Sequence, residues 1–501
     1  MTCPPPKPGN RFPAAALALA LALAPGAALL QGCATNPATG GTMLSFMSQE
    51  EESRLGSEEH PKLVKAFGGE VADPALRAYV QSVGTLLART SELPELNFTF
   101  TVLDTDMVNA FALPGGYVYI TRGILSLANT EAEMAGVLAH EIGHVTARHA
   151  AQRHSRSVLA GLGVGAVAIL TGSRGLAELA GSGAGVHLAS YSREHELEAD
   201  TLGVRYLARA GFDTRAMASF LANLRAHSRL DARIQGLPPD KVDEANLLAT
   251  HPRTVERVEH ATAQAGVAPV ADPVVGRDVY LAKIDGMIHG DSPEQGFARG
   301  RDFVHPRLRF RFRVPEGFRL RNMPDRVLAR GPDGAAILFD GAKRPANRTP
   351  LDYLVNVWAR SLRLGGPERI TVNGLPGATA TARVNTSDGA RDVRLVVIQD
   401  GADRLWRFLF ATPPALTGRL NQPLRETTYS FRRISAAEAA RWRPVRIRLH
   451  RVGPGETVAA LAGRMAVDGF AEEHFRVLNG LGAGEGVRAG QTVKLVLEDR
   501  R

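Results

Sequence analysis

The run His140-Glu141-Ile142-Gly143-His144 has the residue types and the spacing for metal chemistry. Side chains four apart lie on one face of a helix, so both imidazoles can reach a single ion. The glutamate one residue past the first ligand can polarise a water that the ion holds. Zinc takes a third protein ligand and leaves one position open. The segment Ser192-Arg193-Glu194-His195-Glu196-Leu197-Glu198-Ala199-Asp200 offers that ligand. Glu196 and Asp200 share a helical stripe with Gly203 and Leu207. Two acids on a core-facing stripe repel unless a cation or its ligands neutralise them. The economical assignment makes Glu196 the ligand and Asp200 the acceptor that orients a ligating imidazole. On a solvated acidic face, Glu194 and Glu198 would serve as well as Glu196.

Two helices must position these groups. Thr130 followed by Glu133 reads as a capping box, and Met134, Val137, Leu138, Ile142 and Val145 then fall on one arc of a helical wheel. His140 and His144 sit at the edge of that arc and Glu141 inside it. Burial disfavours a carboxylate's charged form and raises its pKa, as a base working near neutrality requires. Ser192 can cap the second helix, which runs to Gly211 as its terminating glycine. Ahead of both, residues 109–120 alternate around a tight glycine turn, which predicts a strand and hairpin.

With these elements in order, the chain resembles metallopeptidase family forty-eight, the gluzincins related to the HtpX-like, BepA-like and CAAX prenyl proteases. The likeness rests on His140-Glu141-x-x-His144, on Glu196-x-Glu198-Ala199-Asp200, on Asn109-Ala110-Phe111-Ala112-Leu113-Pro114-Gly115-Gly116 with Tyr117 to Gly123, and on Thr250-His251-Pro252 with Arg257. It covers roughly residues 45–262. The resemblance implies one zinc ion per chain, held by His140, His144 and Glu196. It implies an exposed edge at Asn109, Ala110 and Phe111 that receives an extended substrate by strand addition. It also implies that His251 can plug the open zinc position, and that Arg257 belongs to the active site, where it could donate to a developing oxyanion. Spacing alone says little of His251, which by itself reads as a loop residue.

Lys7 and Arg11 precede an Ala/Leu run from Ala14 to Leu30 that ends in Leu30-Gln31-Gly32-Cys33. This reads as a signal peptide whose last residues resemble a lipobox, implying lipidation at Cys33 and a stable membrane anchor. Thr35 and the lack of aspartate after Cys33 favour the outer membrane. Cys3 is the other cysteine of 2, and it leaves with the signal, so neither a disulfide nor a thiolate ligand is available. The chain is 44% hydrophobic and 22% charged, as for a globular protein. Its net charge of +9 comes from a pool of 60 basic residues, mostly arginine. Such skew does not mark a nucleic-acid surface, and no nucleic-acid partner is expected. The apolar run Val158–Leu170, glycine-rich onward to Val186, is too short to span a bilayer and reads as a lid over the cleft or as a buried core helix.

Downstream, Leu308-Arg309-Phe310-Arg311-Phe312-Arg313-Val314 alternates strictly, and further strands are predicted at 326–330, 335–339, 369–373, 377–384, 392–399 and 404–411. No 34-residue helical repeat follows. His450-Arg451-Val452-Gly453-Pro454-Gly455-Glu456-Thr457 through Gly490-Gln491-Thr492-Val493 predicts strand, helix, helix, strand and resembles a LysM module, which implies peptidoglycan binding. The fold expected is α+β and multidomain. A signal peptide (1–32) precedes a mainly helical gluzincin domain with a small edge-exposed sheet (33–270). An α+β domain without catalytic residues (276–435) and a βααβ LysM-like module (446–499) follow. The function expected is a zinc endopeptidase of the bacterial envelope, facing the periplasm, in which Glu141 activates a zinc-bound water. Misassembled outer-membrane proteins are its substrates by resemblance. The rival is a peptidoglycan-tethered scaffold with a silent zinc site.

Overall fold

The computed structural model describes residues 33–159, 191–234, 236, 238, 251, 254–386 and 389–499. The predicted signal peptide and most of the predicted lid lie outside them. Two short paired strands, β1 (Cys33–Thr35) and β2 (Thr42–Leu44), lead into α1 (Gln49–Ala66) and α2 (Pro74–Arg89). A three-stranded sheet follows, from β3 (Thr99–Leu103), β4 (Ala110–Leu113) and β5 (Tyr117–Thr121) in the order β3-β5-β4. Since β4 pairs with β5 alone, its other side is an open edge among the described residues. The β4–β5 turn needs Gly115, which has φ +81°, and a Cβ there would stand 2.7 Å from Ser53 Cα.

Among the described residues, six helices complete this unit: α3 (Arg122–Leu127), α4 (Glu131–Thr146), α5 (His149–Leu159), α6 (Arg193–Arg209), α7 (Ala216–Ile234) and α8 (Thr254–Val267). Thr130 caps α4 by accepting from Glu133 N at 3.0 Å. The Glu133 carboxylate reaches Asn129 N rather than Thr130 N, so the expected capping box closes one residue early. Ser192 caps α6 by accepting from His195 N, and Gly211 ends it in the left-handed region at φ +80°. Small residues let α4 and α6 approach closely. A Cβ on Gly203 would lie 3.2 Å from His140 N, and one on Gly143 would lie 3.1 Å from Ala199 O. That contact carries the stripe of α6 to the metal-motif face of α4. One core of buried aliphatic residues from α2, β3, β5, α4, α6 and α7 surrounds it.

Helix α9 (Arg277–Ile284) falls in the range expected for the middle domain, but it packs on the first core through Tyr280, Leu281 and Ile284. The middle unit holds a seven-stranded antiparallel sheet running from Arg319 to Thr412, covered by α10 (Pro414–Ser430) and by a smaller sheet that contributes Phe303, Phe310 and Phe312. The chain ends with β6 (Val445–Arg451), α11 (Val458–Ala462), α12 (Ala471–Asn479) and β7 (Thr492–Glu498), which share a core of their own. This C-terminal unit is docked, not tethered. Its Ile447 belongs to the first core, and Ile288–His289 adds a strand to β6. Lys494 Nζ, fully buried, donates to Ser126 O and Ala128 O at 2.7 Å each. Among the described residues, no helix is long and apolar enough to cross a membrane.

Candidate metal centre

Helix α4 turns His140, Glu141 and His144 inward, and α6 brings Glu196 and Asp200 against them. His140 Nε2 and His144 Nε2 face each other at 3.0 Å. Glu196 lies 3.6 Å from the first and 3.5 Å from the second. His251 joins them, its Nδ1 at 2.9 Å from Glu196 Oε1 and 3.3 Å from His140 Nε2. These four buried side chains offer ligand atoms within 4.8 Å of one another. Donors arranged around zinc at about 2.0–2.1 Å stand roughly 3.3 Å apart on a tetrahedron. The observed spacings suit one such ion. Glu141 lies beside the group, its Oε1 3.4 Å from His251 Nε2, while its Oε2 is buried with no hydrogen-bond partner. A cation fits this site because the imidazole lone pairs converge where no polar hydrogen satisfies them all.

Asp200 accepts from His140 Nδ1 at 2.9 Å, the carboxylate–imidazole contact that fixes a ligand's tautomer and orientation. Arg257 grips Asp200 with Nε at 2.8 Å and Nη2 at 2.7 Å, and its Nη1 lies 2.9 Å from Glu196. The Arg257 guanidinium is buried and holds two carboxylates together, and Arg257 also lines the cavity that His140, Glu141 and His251 line.

The electrostatics follow from this packing. Burial raises the Glu141 carboxyl, only partly offset by the charges of His251 and His140. Burial also acts on Asp200, but Arg257 overrides it and holds that group down at about 2. Glu196 falls well below the usual carboxylate range, because the charges of His251 and Arg257 outweigh its burial. His144 falls well below the usual imidazole value through burial, the state in which its nitrogen lone pair is free for a metal.

Ala110 is buried in the main core, and Phe111 packs with Leu63, Leu103 and Tyr119. The Phe111 side chain therefore packs away from the donor set, and its own contact with a substrate would be through backbone. Antiparallel alternation, with Thr121 N donating to Asn109 O, turns the polar groups of Ala110 and Ala112 to the open edge. Asn109 and Ala110 line a cavity together with His140, Glu141, His251 and Arg257 and with Val137, Phe220, Leu221 and Leu224. It holds about 450 Å³, open mouth included.

Two residues escaped the sequence reading. His149 Nδ1 lies 2.8 Å from His144 Nδ1, and His149 Nε2 lies 3.2 Å from Glu198 Oε2. Arg148 has φ +54° and breaks the chain between α4 and α5, swinging His149 back beside His144. The five-residue spacing belongs to no helical face, so only this break could have announced the contact. Tyr191 stacks on His144 at 3.9 Å between ring centroids.

Comparison with known proteins agrees with this site. Residues 74–265 match the family described as Peptidase family M48. The chain is 31% identical to the beta-barrel assembly-enhancing protease of Escherichia coli over 258 residues, 50% of this chain and 51% of that one. It is 33% identical over 129 residues to the mitochondrial metalloendopeptidase OMA1 of Arabidopsis thaliana, 26% of each chain. With the bovine mitochondrial metalloendopeptidase OMA1 it shares 28% identity over 241 residues, 45% of this chain and 44% of that one. The match thus spans about half the length of the assembly-enhancing relatives. The matched residues hold all four donors, His140 and His144 on α4, Glu196 on α6 and His251, so this part of the chain is similar to peptidase family M48.

Proposed function

We propose that the chain is a zinc-dependent endopeptidase of the bacterial envelope, with His140, His144 and Glu196 as zinc ligands and His251 as a fourth donor that withdraws when substrate enters. The observation that carries this reading is Glu141, a buried carboxylate with an unpartnered oxygen beside a convergent donor set. Zinc held there supplies a Lewis acid that polarises the scissile carbonyl and makes water more acidic. Glu141 takes the proton from the attacking water and passes it to the leaving amine, a task suited to a carboxyl whose pKa burial has raised. Asp200 orients His140, and Arg257 keeps Asp200 and Glu196 charged and in place. The substrate lies as an added strand on the open edge of β4, bonded to the backbone of Ala110 and Ala112. The cavity beside Glu141 takes an apolar substrate side chain.

The names of the assembly-enhancing relatives support a role in the quality control of outer-membrane proteins. A lipid on Cys33 would anchor the chain at the outer membrane facing the periplasm. Residues 446–499, a strand-helix-helix-strand unit, are proposed as a LysM-like module for peptidoglycan. Glu141→Gln should retain zinc and lose cleavage of an unfolded outer-membrane protein by more than about 100-fold. Preserved turnover would remove Glu141 as the base.

A further inference from the structure

The second candidate ligand is held by a longer chain of contacts than the first. His144 turns Nε2 to the donor set and Nδ1 to His149 Nδ1, at 2.8 Å. His149 Nε2 lies 3.2 Å from Glu198 Oε2, and Glu198 Oε1 accepts from Asn36 Nδ2 at 2.8 Å. A ligating Nε2 has no hydrogen, so the His144 proton sits on Nδ1 and is donated to His149 Nδ1. His149 then carries its own proton on Nε2 and donates it to Glu198. Every atom in the run has one available role, and all the roles agree. His144 and His149 are both buried, and His195 stacks on His149 at 4.2 Å, so the second ring cannot turn freely. The segment that supplies Asn36 is itself fastened across α5. Phe46 N donates to Ser155 Oγ at 2.8 Å, and Arg148 donates to Met47 O at 2.7 Å and to Glu52 at 3.0 Å.

We infer that His149, Glu198 and Asn36 are positioning residues for the metal centre, acting in series on His144 as Asp200 acts directly on His140. The N-terminal segment from Cys33 to Met47 is thereby part of the site and not only a leader to it. The inference rests on the reading of His140, His144 and Glu196 as zinc ligands.

The test compares the full chain with His149→Phe, Glu198→Gln and Asn36→Ala, using Glu194→Gln as the control on the exposed side of α6. Zinc affinity is read by competition with a chromophoric chelator, and ligand geometry by the visible spectrum after cobalt substitution. His149→Phe should bind zinc about 10-fold to 100-fold more weakly and shift the cobalt bands, because an imidazole that loses its outer partner loses orientation and basicity. Glu198→Gln and Asn36→Ala should move both readouts the same way by less, and Glu194→Gln should leave them unchanged. Parental affinity and spectrum in both His149→Phe and Glu198→Gln would overturn the inference. If His149→Phe does not fold, Glu198→Gln decides alone. A parent chain that binds no zinc overturns the metal reading, and the inference with it.

Discussion

The cavity beside Glu141 makes a quantitative claim about which peptide bonds are cut. It is lined by Phe220, Leu221 and Leu224 of α7, by Val137 of α4, and by His140, Glu141, His251 and Arg257. A side chain flanking the scissile bond enters between the start of β4 and the metal helix, leaving water for an apolar surface. Each buried methylene contributes about 0.8 kcal/mol, so leucine, with three more carbons than alanine, should gain about 2.4 kcal/mol. That is roughly 50-fold in kcat/KM at about 1.4 kcal/mol per decade. Aspartate should fall below alanine, since its charge would leave water for a largely apolar cavity beside the Glu141 carboxyl. The assay uses quenched fluorescent peptides that differ at one position, with cut sites in a denatured outer-membrane protein mapped by mass spectrometry. Leu224→Trp, which fills the cavity, should invert the order so that alanine is preferred to leucine. Equal kcat/KM for leucine and alanine in the parent chain would refute the assignment of this cavity while leaving the metal centre intact.

Other perturbations read different parts of the site. Arg257→Leu leaves Asp200 and Glu196 buried without their cation, which should cost the metal-free protein about 3–5 kcal/mol. Zinc should restore part of that loss in thermal unfolding, and a variant as stable as the parent in chelator would refute the bracing role. His251→Ala removes the imidazole that stands between Glu196 and Glu141, so basal cleavage or self-cleavage should rise. Unchanged activity would leave His251 as a loop residue. Burial pushes the Lys494 ammonium down to about 7, against about 10.4 for a lysine in the unfolded chain. Between these values the unfolded chain binds more protons, so stability should rise as pH climbs from about 7 to about 10. Lys494→Met should flatten the thermal midpoint across that window, and an unaltered pH profile would show that the amine does not titrate there.

What the sequence discloses here depends on whether a contact lies along a regular period. His140 and His144 are four apart, and Glu196 and Asp200 are four apart, so each pair declares its own helix face. The repulsion of two buried acids then demands that the faces meet, and Gly143 and Gly203 let them. The further strands predicted downstream recur in the middle sheet, for example Arg326–Arg330 and Arg404–Thr412. His149 was not legible because its contact depends on one left-handed residue, Arg148. Arg257 was legible only by likeness to a family, and its grip on Asp200 and Glu196 had no signal in the spacing. Helix α9 is eight residues long, too short for its three buried side chains to set a period, so its packing on the first core was not legible.

Lys494 shows the same limit from the opposite direction. A lysine in a strand reads as solvent-facing, since an ammonium is seldom buried. Here the carbonyls at the C-terminal end of α3 form a negative pole, and the amine sits on it. Thr130, which caps the metal helix, follows two residues later. The C-terminal unit thus grips the chain at the point where α4 begins, and Arg277 fastens the same place by donating to Asn129 O and Thr492 O. Nothing in either segment's own pattern could reveal this, because each half of the contact is satisfied only by the other. Orientation of the metal helix is therefore a property of the whole chain, and not of the matched residues 74–265 alone.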